Sequence, residues 1–359
     1  MPCYTDYTIG IICFEEVLNC HIMQKLKRII IVLLIIAIVA VIGFYFWGSS
    51  PNFNKEKYNA IIDYQLGNTQ QSNDTLSILT FNIGYLSGNT NNLAVKRPKE
   101  LFTNNLLQTT KYLKSTKPDF VCFQEIDFES ARSFDVSQLN EIAVSNEYNY
   151  ASMGVNWDKK YVPFPYGWFD IHFGHIYSGL AILSNYKITT NELIVLRKPE
   201  NETFYYNAFY LDRVVQIDEV DVNGKKLIIM NIHLEAFDIS TREKQAKTVL
   251  SIYRKYSAKY PVLLVGDFNS TPPNAVNPYE IEETMNTFLS EPNLQASISD
   301  SIYYSNESSY FTYSSDNPQI RIDYILYNSD KIEVVESRIA KEVGAVSDHL
   351  PVYARFVLK

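Results

Sequence analysis

Polar side chains capable of chemistry recur where apolar runs end. Asn82 follows Ile78-Leu79-Thr80-Phe81, Glu125 closes the run from Phe120, and His233 closes the run from Leu227. Asp267 and Asn269 follow Val262-Leu263-Leu264-Val265-Gly266, Asp323 sits inside Arg321-Ile322-Asp323-Tyr324-Ile325, and Ser347-Asp348-His349 precede the last apolar run. Alone, an Asp or Asn at a strand end is ordinarily a turn former. Strand ends of an α/β sheet converge on one rim, however, so groups at successive exits can share a pocket. Carboxylate and amide oxygens without cysteine suit a hard cation, Mg2+ or Mn2+, which keeps waters and phosphate oxygens in its shell. Hydrolysis of a phosphoester needs such a charge, a group that orients or deprotonates water, and donors to the nonbridging oxygens. No Walker-A loop, Gly-x-Ser-x-Gly elbow or His-Glu-x-x-His helix offers a competing chemistry.

The elements that must position these groups are short and β-branched. Runs at Leu76–Ile83, Phe120–Gln124, Leu180–Leu183, Val214–Val222, Leu227–His233, Val262–Val265, Ile322–Tyr327 and Val352–Leu358 read as strands. Between them, Pro98–Leu113 and Arg242–Tyr256 carry apolar residues at helical spacing. Strands mixed with helices over the whole stretch predict an α/β domain with extensive sheets. No internal repeat or linker interrupts it.

The chain has 359 residues, 46% hydrophobic and 20% charged, which excludes a disordered, collagenous or coiled-coil protein. Its formal net charge of −8 does not concentrate polyanions, so tight nonspecific nucleic-acid binding is not expected. Of four cysteines only Cys122 follows residue 20, so the main body has no internal disulfide and Cys122 reads as a small buried hydrophobe.

Ile29 to Trp47 carries no charged or strongly polar side chain, and at 1.5 Å rise it covers the hydrocarbon core of a bilayer. Lys25, Lys27 and Arg28 precede it, and Phe44, Tyr45, Phe46 and Trp47 close it as an interfacial belt. The positive-inside rule leaves the N-terminus in the cytoplasm and exports the rest. A cleaved signal peptide would have a shorter apolar region followed by small residues, so an uncleaved single-pass anchor is expected. The expected organisation is a cytoplasmic N-terminus (1–28, of which 1–22 precede the ordinary start at Met23), an anchor (29–47), a polar tether (48–75) and a catalytic domain (76–359).

The sequence resembles the endonuclease/exonuclease/phosphatase superfamily, which includes deoxyribonucleases, apurinic endonucleases, neutral sphingomyelinases and inositol-phosphate phosphatases. The matching stretches, in order, are Thr80-Phe81-Asn82, Phe123-Gln124-Glu125, residues 178–184, Asn231-Ile232-His233-Leu234, Gly266-Asp267-Phe268-Asn269, Arg321-Ile322-Asp323-Tyr324 and residues 347–352. The resemblance implies a four-layer α/β sandwich of two packed mixed sheets with the site at one end. It implies that Glu125, with Asn82 and Asp348, holds Mg2+, and that His349, oriented by Asp323, activates or positions water. It further implies that Asp267 and Asn269 sit at the scissile phosphate, and that His233 stabilises charge or protonates the leaving group. A His at position 233 sides with the deoxyribonuclease and sphingomyelinase branches.

One tract stands outside these stretches. Gly154–Tyr177 is a third aromatic, contains two prolines and three glycines, and reads as a long surface loop. Within it Trp157, Lys159, Lys160, Trp168, Phe169, His172 and His175 are candidate substrate contacts, with the two histidines also a weak metal pair. Together with the anchor and the acidic charge, the tract favours a lipid or headgroup phosphodiester as substrate. An extracytoplasmic DNA or RNA endonuclease is the alternative; a phosphomonoesterase and a non-catalytic surface receptor rank below it. No protein partner can be inferred.

Overall fold

The computed structural model describes residues 6–66, 74–91, 93–278 and 281–359, with side chains of the first helix from residue 18 onward. The chain separates into two units, Met1–Ser49 and Ser50–Lys359. The first contains one helix, α1 (Asp6–Gly48), whose large apolar side chains from residue 18 to Trp47 are exposed apart from half-buried Tyr45. Its segment Leu18–Gly48 reaches a mean hydropathy of 3.3, long and apolar enough to cross a membrane or to serve as a signal sequence.

The second unit contains the strands β1 (Ile61–Asp63), β2 (Leu76–Asn82), β3 (Phe120–Asp127), β4 (Tyr150–Val162), β5 (Gly174–Ser184), β6 (Lys187–Val195), β7 (Val214–Val222), β8 (Lys225–His233), β9 (Val262–Asp267), β10 (Leu294–Ala296), β11 (Asp323–Asn328), β12 (Ile332–Ile339) and β13 (Val352–Leu358). They form two sheets, ordered β1-β4-β5-β3-β2-β13-β12 and β10-β11-β9-β8-β7-β6. Each sheet is mixed: β2–β3 and β8–β9 are parallel, and the other pairings are antiparallel.

Alternation within the strands sets the layers. In β8, Leu227 and Ile229 join a core that also contains first-sheet residues, whereas Ile228, Met230 and Ile232 pack with the helix α5 defined below. β9 divides the same way, with Leu263 and Val265 toward the other sheet and Val262 and Leu264 away from it. Two helices, α2 (Lys99–Thr116) and α3 (Gln138–Ser145), contribute Phe102, Leu113, Leu139 and Ile142 to the first-sheet core. After the short α4 (Phe204–Phe209), α5 (Ile239–Ser257) lays Ala246, Val249, Leu250 and Tyr253 on the second sheet. The result is the expected four-layer α/β sandwich. Cys122 is fully buried, as a small hydrophobe would be; Cys3 and Cys13 lie outside the described side chains.

Two stretches differ from expectation. Gly154–Tyr177 is mostly the paired strands β4 and β5, leaving only residues 163–173 as a loop. Its polar and aromatic residues alternate in a way that composition alone does not separate from a loop. The segment expected as a tether is partly built onto the domain: β1 pairs with β4, and Asp158 accepts hydrogen bonds from Asn52 N (2.7 Å), Phe53 N (2.9 Å) and the Tyr58 hydroxyl (3.0 Å). Its partners lie about a hundred residues away in sequence, which local pattern cannot show. Residues 67–73 of that segment lie outside the described residues.

Between the sheets runs a buried polar seam. Gln124 on β3 donates to Asn231 on β8 (2.6 Å), Asn231 donates to Gln216 on β7 (3.3 Å), and Gln216 donates to Ser152 on β4 (2.9 Å), whose hydroxyl donates to Asp218 on β7. Burial pushes the Asp218 carboxyl up to about 8 despite the Ser152 hydrogen bond. The folded protein therefore keeps a proton there that the unfolded chain has lost above about pH 4. The contribution of this group to stability falls by about 1.4 kcal/mol per pH unit from about pH 4 to the folded value and is level above it. Asp218→Asn should remove that slope. Urea unfolding at pH 5 and pH 8 should show the variant gaining on the parent as pH rises; a constant difference would refute the assignment.

Candidate active site

The two parallel pairs end together. Asn82, the last residue of β2, lies opposite Gln124 where the pairing with β3 stops, and His233 lies opposite Asp267 at the ends of β8 and β9. Antiparallel β11 starts at Asp323, opposite Asp267, and β13 starts at Val352, opposite Thr80, just after His349. One end of the sandwich thus collects the exits of four strands and the entries of two.

Local backbone adjusts the aim. Glu125 has φ +52° at an irregularity in the β3–β5 register between Phe123 and Ile126, so the strand is kinked where the carboxylate must turn into the cleft. Gly266 has φ +137°, and a Cβ there would collide with the Ile232 carbonyl oxygen, which explains glycine before Asp267. Asn269 has φ +49°, and its backbone N–H donates to Asp267 Oδ1 at 2.8 Å.

Eight of the expected residues meet here. Asp323 Oδ2 lies 3.0 Å from His349 Nδ1, which points His349 Nε2 toward Asp267 Oδ2 at 3.8 Å. His233 Nε2 is 3.4 Å from the same Asp267 oxygen and 3.9 Å from Glu125 Oε1. Asn82 Nδ2 donates to Asp267 Oδ2 (3.0 Å) and to Glu125 Oε1 (3.4 Å), while its Oδ1 accepts the Gly84 N–H (3.1 Å). Glu125, His233, Asp267, Asn269, Asp348 and His349 all line one cleft of about 490 Å³.

The electrostatics follow from crowding acids into a dry site. Burial and then the Asp348 charge raise Glu125, with Asn91 opposing through a 2.7 Å hydrogen bond to Oε2. Burial and then Asp323 push Asp267 up to about 7. Burial alone would lower His349, but Asp323 and Asp267 outweigh it and hold the imidazole well above its usual value. Burial, followed by the positive charges of Arg213 and His349, drops His233 far below its usual value and keeps it neutral.

Other cleft residues were not singled out from the sequence. Asn91 steadies Glu125. Arg213 is buried and lines the cleft; its Nη2 donates to the Tyr210 hydroxyl (3.1 Å), its Nε lies 3.6 Å from Glu235 Oε2, and its Nε and Nη1 have no hydrogen-bond partner. An arginine immediately before a β-branched run was the available signal. The remaining wall is apolar, with Tyr85, Trp157, Phe164, Tyr206, Phe209 and Leu211.

Of the aromatic tract, only Trp157 among the expected contacts reaches the cleft, and it is buried with its indole N–H on the Phe209 carbonyl (2.8 Å). Lys159, Lys160, Trp168, Phe169, His172 and His175 do not line the cleft. His172 pairs with the Tyr161 hydroxyl (2.9 Å) and His175 with Asp135 (3.0 Å), so they do not form a common metal pair. Among the described residues the group that brings three ligand atoms within 4.8 Å of one another is Asp267, Asp323 and His349.

Comparison with known proteins bears on the fold and the family. No curated protein matches the sequence. Similar solved structures include an endonuclease/exonuclease/phosphatase from Beutenbergia cavernae (18% identity, TM-score 0.60, covering 79% of this chain and 72% of that one). They also include the human Nocturnin catalytic domain with bound sulfate (19%, 0.52, 84% and 98%) and a mannosyl-6-phosphatase from Bacteroides thetaiotaomicron (16%, 0.51, 79% and 99%). At these identities the likeness is one of fold. The endonuclease/exonuclease/phosphatase family model matches residues 79–349, from β2 to His349. The chain belongs to the endonuclease/exonuclease/phosphatase family, which supports its assignment as a hydrolase acting on a phosphoester.

Proposed function

We propose that the protein is a divalent-metal-dependent phosphodiesterase that cleaves a lipid or lipid-headgroup phosphodiester by in-line attack of water. The supporting observation is that Glu125, His233, Asp267, Asn269, Asp348 and His349 share a cleft whose remaining lining is largely aromatic and aliphatic. With α1 as a single-pass anchor and Lys25, Lys27 and Arg28 before its apolar run, the domain would lie outside the cytoplasm.

The residues fit a hard cation. Burial and then the neighbouring Asp348 carboxylate raise the cost of ionising Glu125 in the cleft, and Mg2+ or Mn2+ held between the two would remove that cost. The Asn82 oxygen is taken by Gly84 N–H, so the fit rests on the two carboxylates, with Asn82 serving them as a donor. A bound divalent ion would supply charge neutralisation at the phosphate.

The side chains divide the rest of the work. Asp323 fixes the His349 ring, and the protonated imidazole donates through Nε2 to a phosphate oxygen. Asp267, poised near neutrality beside it, is the group that takes the proton of the attacking water. Asn269 holds Asp267 in place through its backbone N–H. Neutral His233 donates a hydrogen bond to the departing oxygen, and Arg213 adds a buried positive charge.

The full-length chain in detergent with Mg2+, offered phospholipid or sphingomyelin vesicles, DNA and RNA, and small phosphomonoesters in parallel, tests the substrate class. Fastest turnover of nucleic acid, or of a phosphomonoester, would replace the lipid reading. Excess chelator should abolish hydrolysis, and persistence of activity would refute metal dependence. Glu125→Gln should raise the Mg2+ concentration needed for half-maximal rate, since it removes one ligand charge and keeps the shape. His349→Ala and Asp267→Asn should each lower turnover by at least about a hundredfold. The Asp267→Asn midpoint should stay near the parent's, because that change relieves like-charge crowding, whereas His349→Ala leaves buried Asp323 unpaired and should also lower the midpoint, so its turnover is measured on folded protein; near-parent turnover in either variant would remove that residue from the mechanism.

A further inference from the structure

The cleft mouth carries exposed aromatic side chains from three separate segments. In the loop 163–173, Tyr166, Trp168 and Phe169 are 77%, 83% and 82% exposed; Phe237, after β8, is 71% exposed, and Tyr205 on α4 is also exposed. Tyr166, Tyr205 and Phe237 line the cleft entrance, and Trp168 and Phe169 follow Tyr166 on the same loop. Exposed apolar residues scattered singly are ordinary, but bulky rings from several segments around one mouth mark an interaction surface.

The attachment of the domain indicates what covers it. Only Ser49 separates Gly48, the last residue of α1, from Ser50, and the Ser50 carbonyl already accepts the Lys160 N–H at 2.9 Å. Asn52 then donates to Asp158 and to the Lys159 carbonyl (2.9 Å), and the Phe53 ring packs on Tyr177 at 4.3 Å. Lys160 lies on β4, which ends at Val162, where the aromatic loop begins. The chain therefore passes from the apolar helix to the base of that loop with two peptide units between, at most about 7 Å of reach. Whatever the orientation of the helix, a membrane span ending at Gly48 leaves this edge of the domain no slack to move away.

We propose that the rim formed by Tyr166, Trp168, Phe169, Tyr205 and Phe237 enters a lipid bilayer, with the Asp158-held segment 50–58 keeping the cleft mouth at the membrane surface. This rests on the proposed lipid substrate and on α1 as a membrane span, and it supplies the surface by which a lipid leaves the bilayer for the cleft. Aromatic rings are the side chains suited to the headgroup level, with an apolar body and, in Tyr and Trp, a polar edge. The net charge of −8 disfavours the other ligand that stacks on rings, a nucleic-acid strand.

The test uses the full chain in phosphatidylcholine vesicles carrying brominated acyl chains. In Trp47→Phe protein, the remaining indoles are buried Trp157 and exposed Trp168. Emission should be quenched by the bromolipid, and adding Trp168→Tyr should abolish that quenching. Trp168→Ser/Phe169→Ser should keep the parental melting temperature and turnover of a soluble phosphodiester, and should lower hydrolysis of bilayer substrate by about tenfold or more. Unquenched Trp168 overturns the proposal, as does quenching by single-stranded DNA without quenching by bromolipid, or Trp168 burial that depends on protein concentration. Because quenching needs no turnover, bromolipid quenching in a protein that cleaves no phosphodiester would overturn the proposed function and leave docking standing. Turnover without quenching would do the reverse.

Discussion

The site depends on keeping four acidic groups, Glu125, Asp267, Asp323 and Asp348, together at the end of a tightly packed sandwich. Burial first, and then the neighbouring acid, push Glu125 and Asp267 toward the neutral form. The neighbours answer this repulsion one acid at a time. His349 takes Asp323, Asn82 donates to Asp267 and Glu125, Asn91 donates to Glu125, and the backbone N–H of Asn269 donates to Asp267. Glu125 and Asp348 are answered by the neutral side chains of Asn82, Asn91 and Ser347, which donate hydrogen bonds without cancelling charge, so the carboxylates there suit a cation.

Such a cluster holds only if both sheets are fixed relative to each other, because its members come from both. Glu125 and Asn82 belong to the first sheet, and Asp267, His233 and Asp323 to the second. Apolar packing alone tolerates small slides between layers, whereas a hydrogen-bonded chain has directional partners. The seam of Gln124, Asn231, Gln216, Ser152 and Asp218 supplies that direction one residue behind Glu125 and two behind His233. Buried Asp218, its carboxyl pushed up to about 8, is thus part of the chain that holds the register of the acidic cluster.

The parts legible in the sequence were those buried on both faces. Strands β2, β3, β8, β9, β11 and β13 read as apolar runs because they occupy the interior of the sheets, and each begins or ends at or near a site residue. The strands that pattern missed include β1 and β12, at the two edges of the first sheet, and β6 and β10, at the two edges of the second. Edge strands carry one solvated side, so their residues include Lys187, Thr189 and Glu333, and no long apolar run forms. The site residues followed from their strand ends, while Asn91 and Arg213 did not, since neither terminates an apolar run and their roles depend on contacts distant in sequence.

The same division explains why reaction class is easier to read than substrate. The polar cluster is encoded by short motifs at strand ends, where chemistry fixes the residue type at each position. The remaining wall, from Tyr85 through Trp157 and Phe164 to Tyr206 and Leu211, comes from four separate segments and needs only rings and aliphatic bulk of the right volume. Many residue combinations meet that need, so no motif records it. Where such a wall abuts an acid cluster, the bond cleaved is set by one side and the group attached to it by the other. An aromatic wall beside a phosphoester site favours substrates whose phosphate is joined to a large apolar body over small sugar phosphates, which would leave that wall wet.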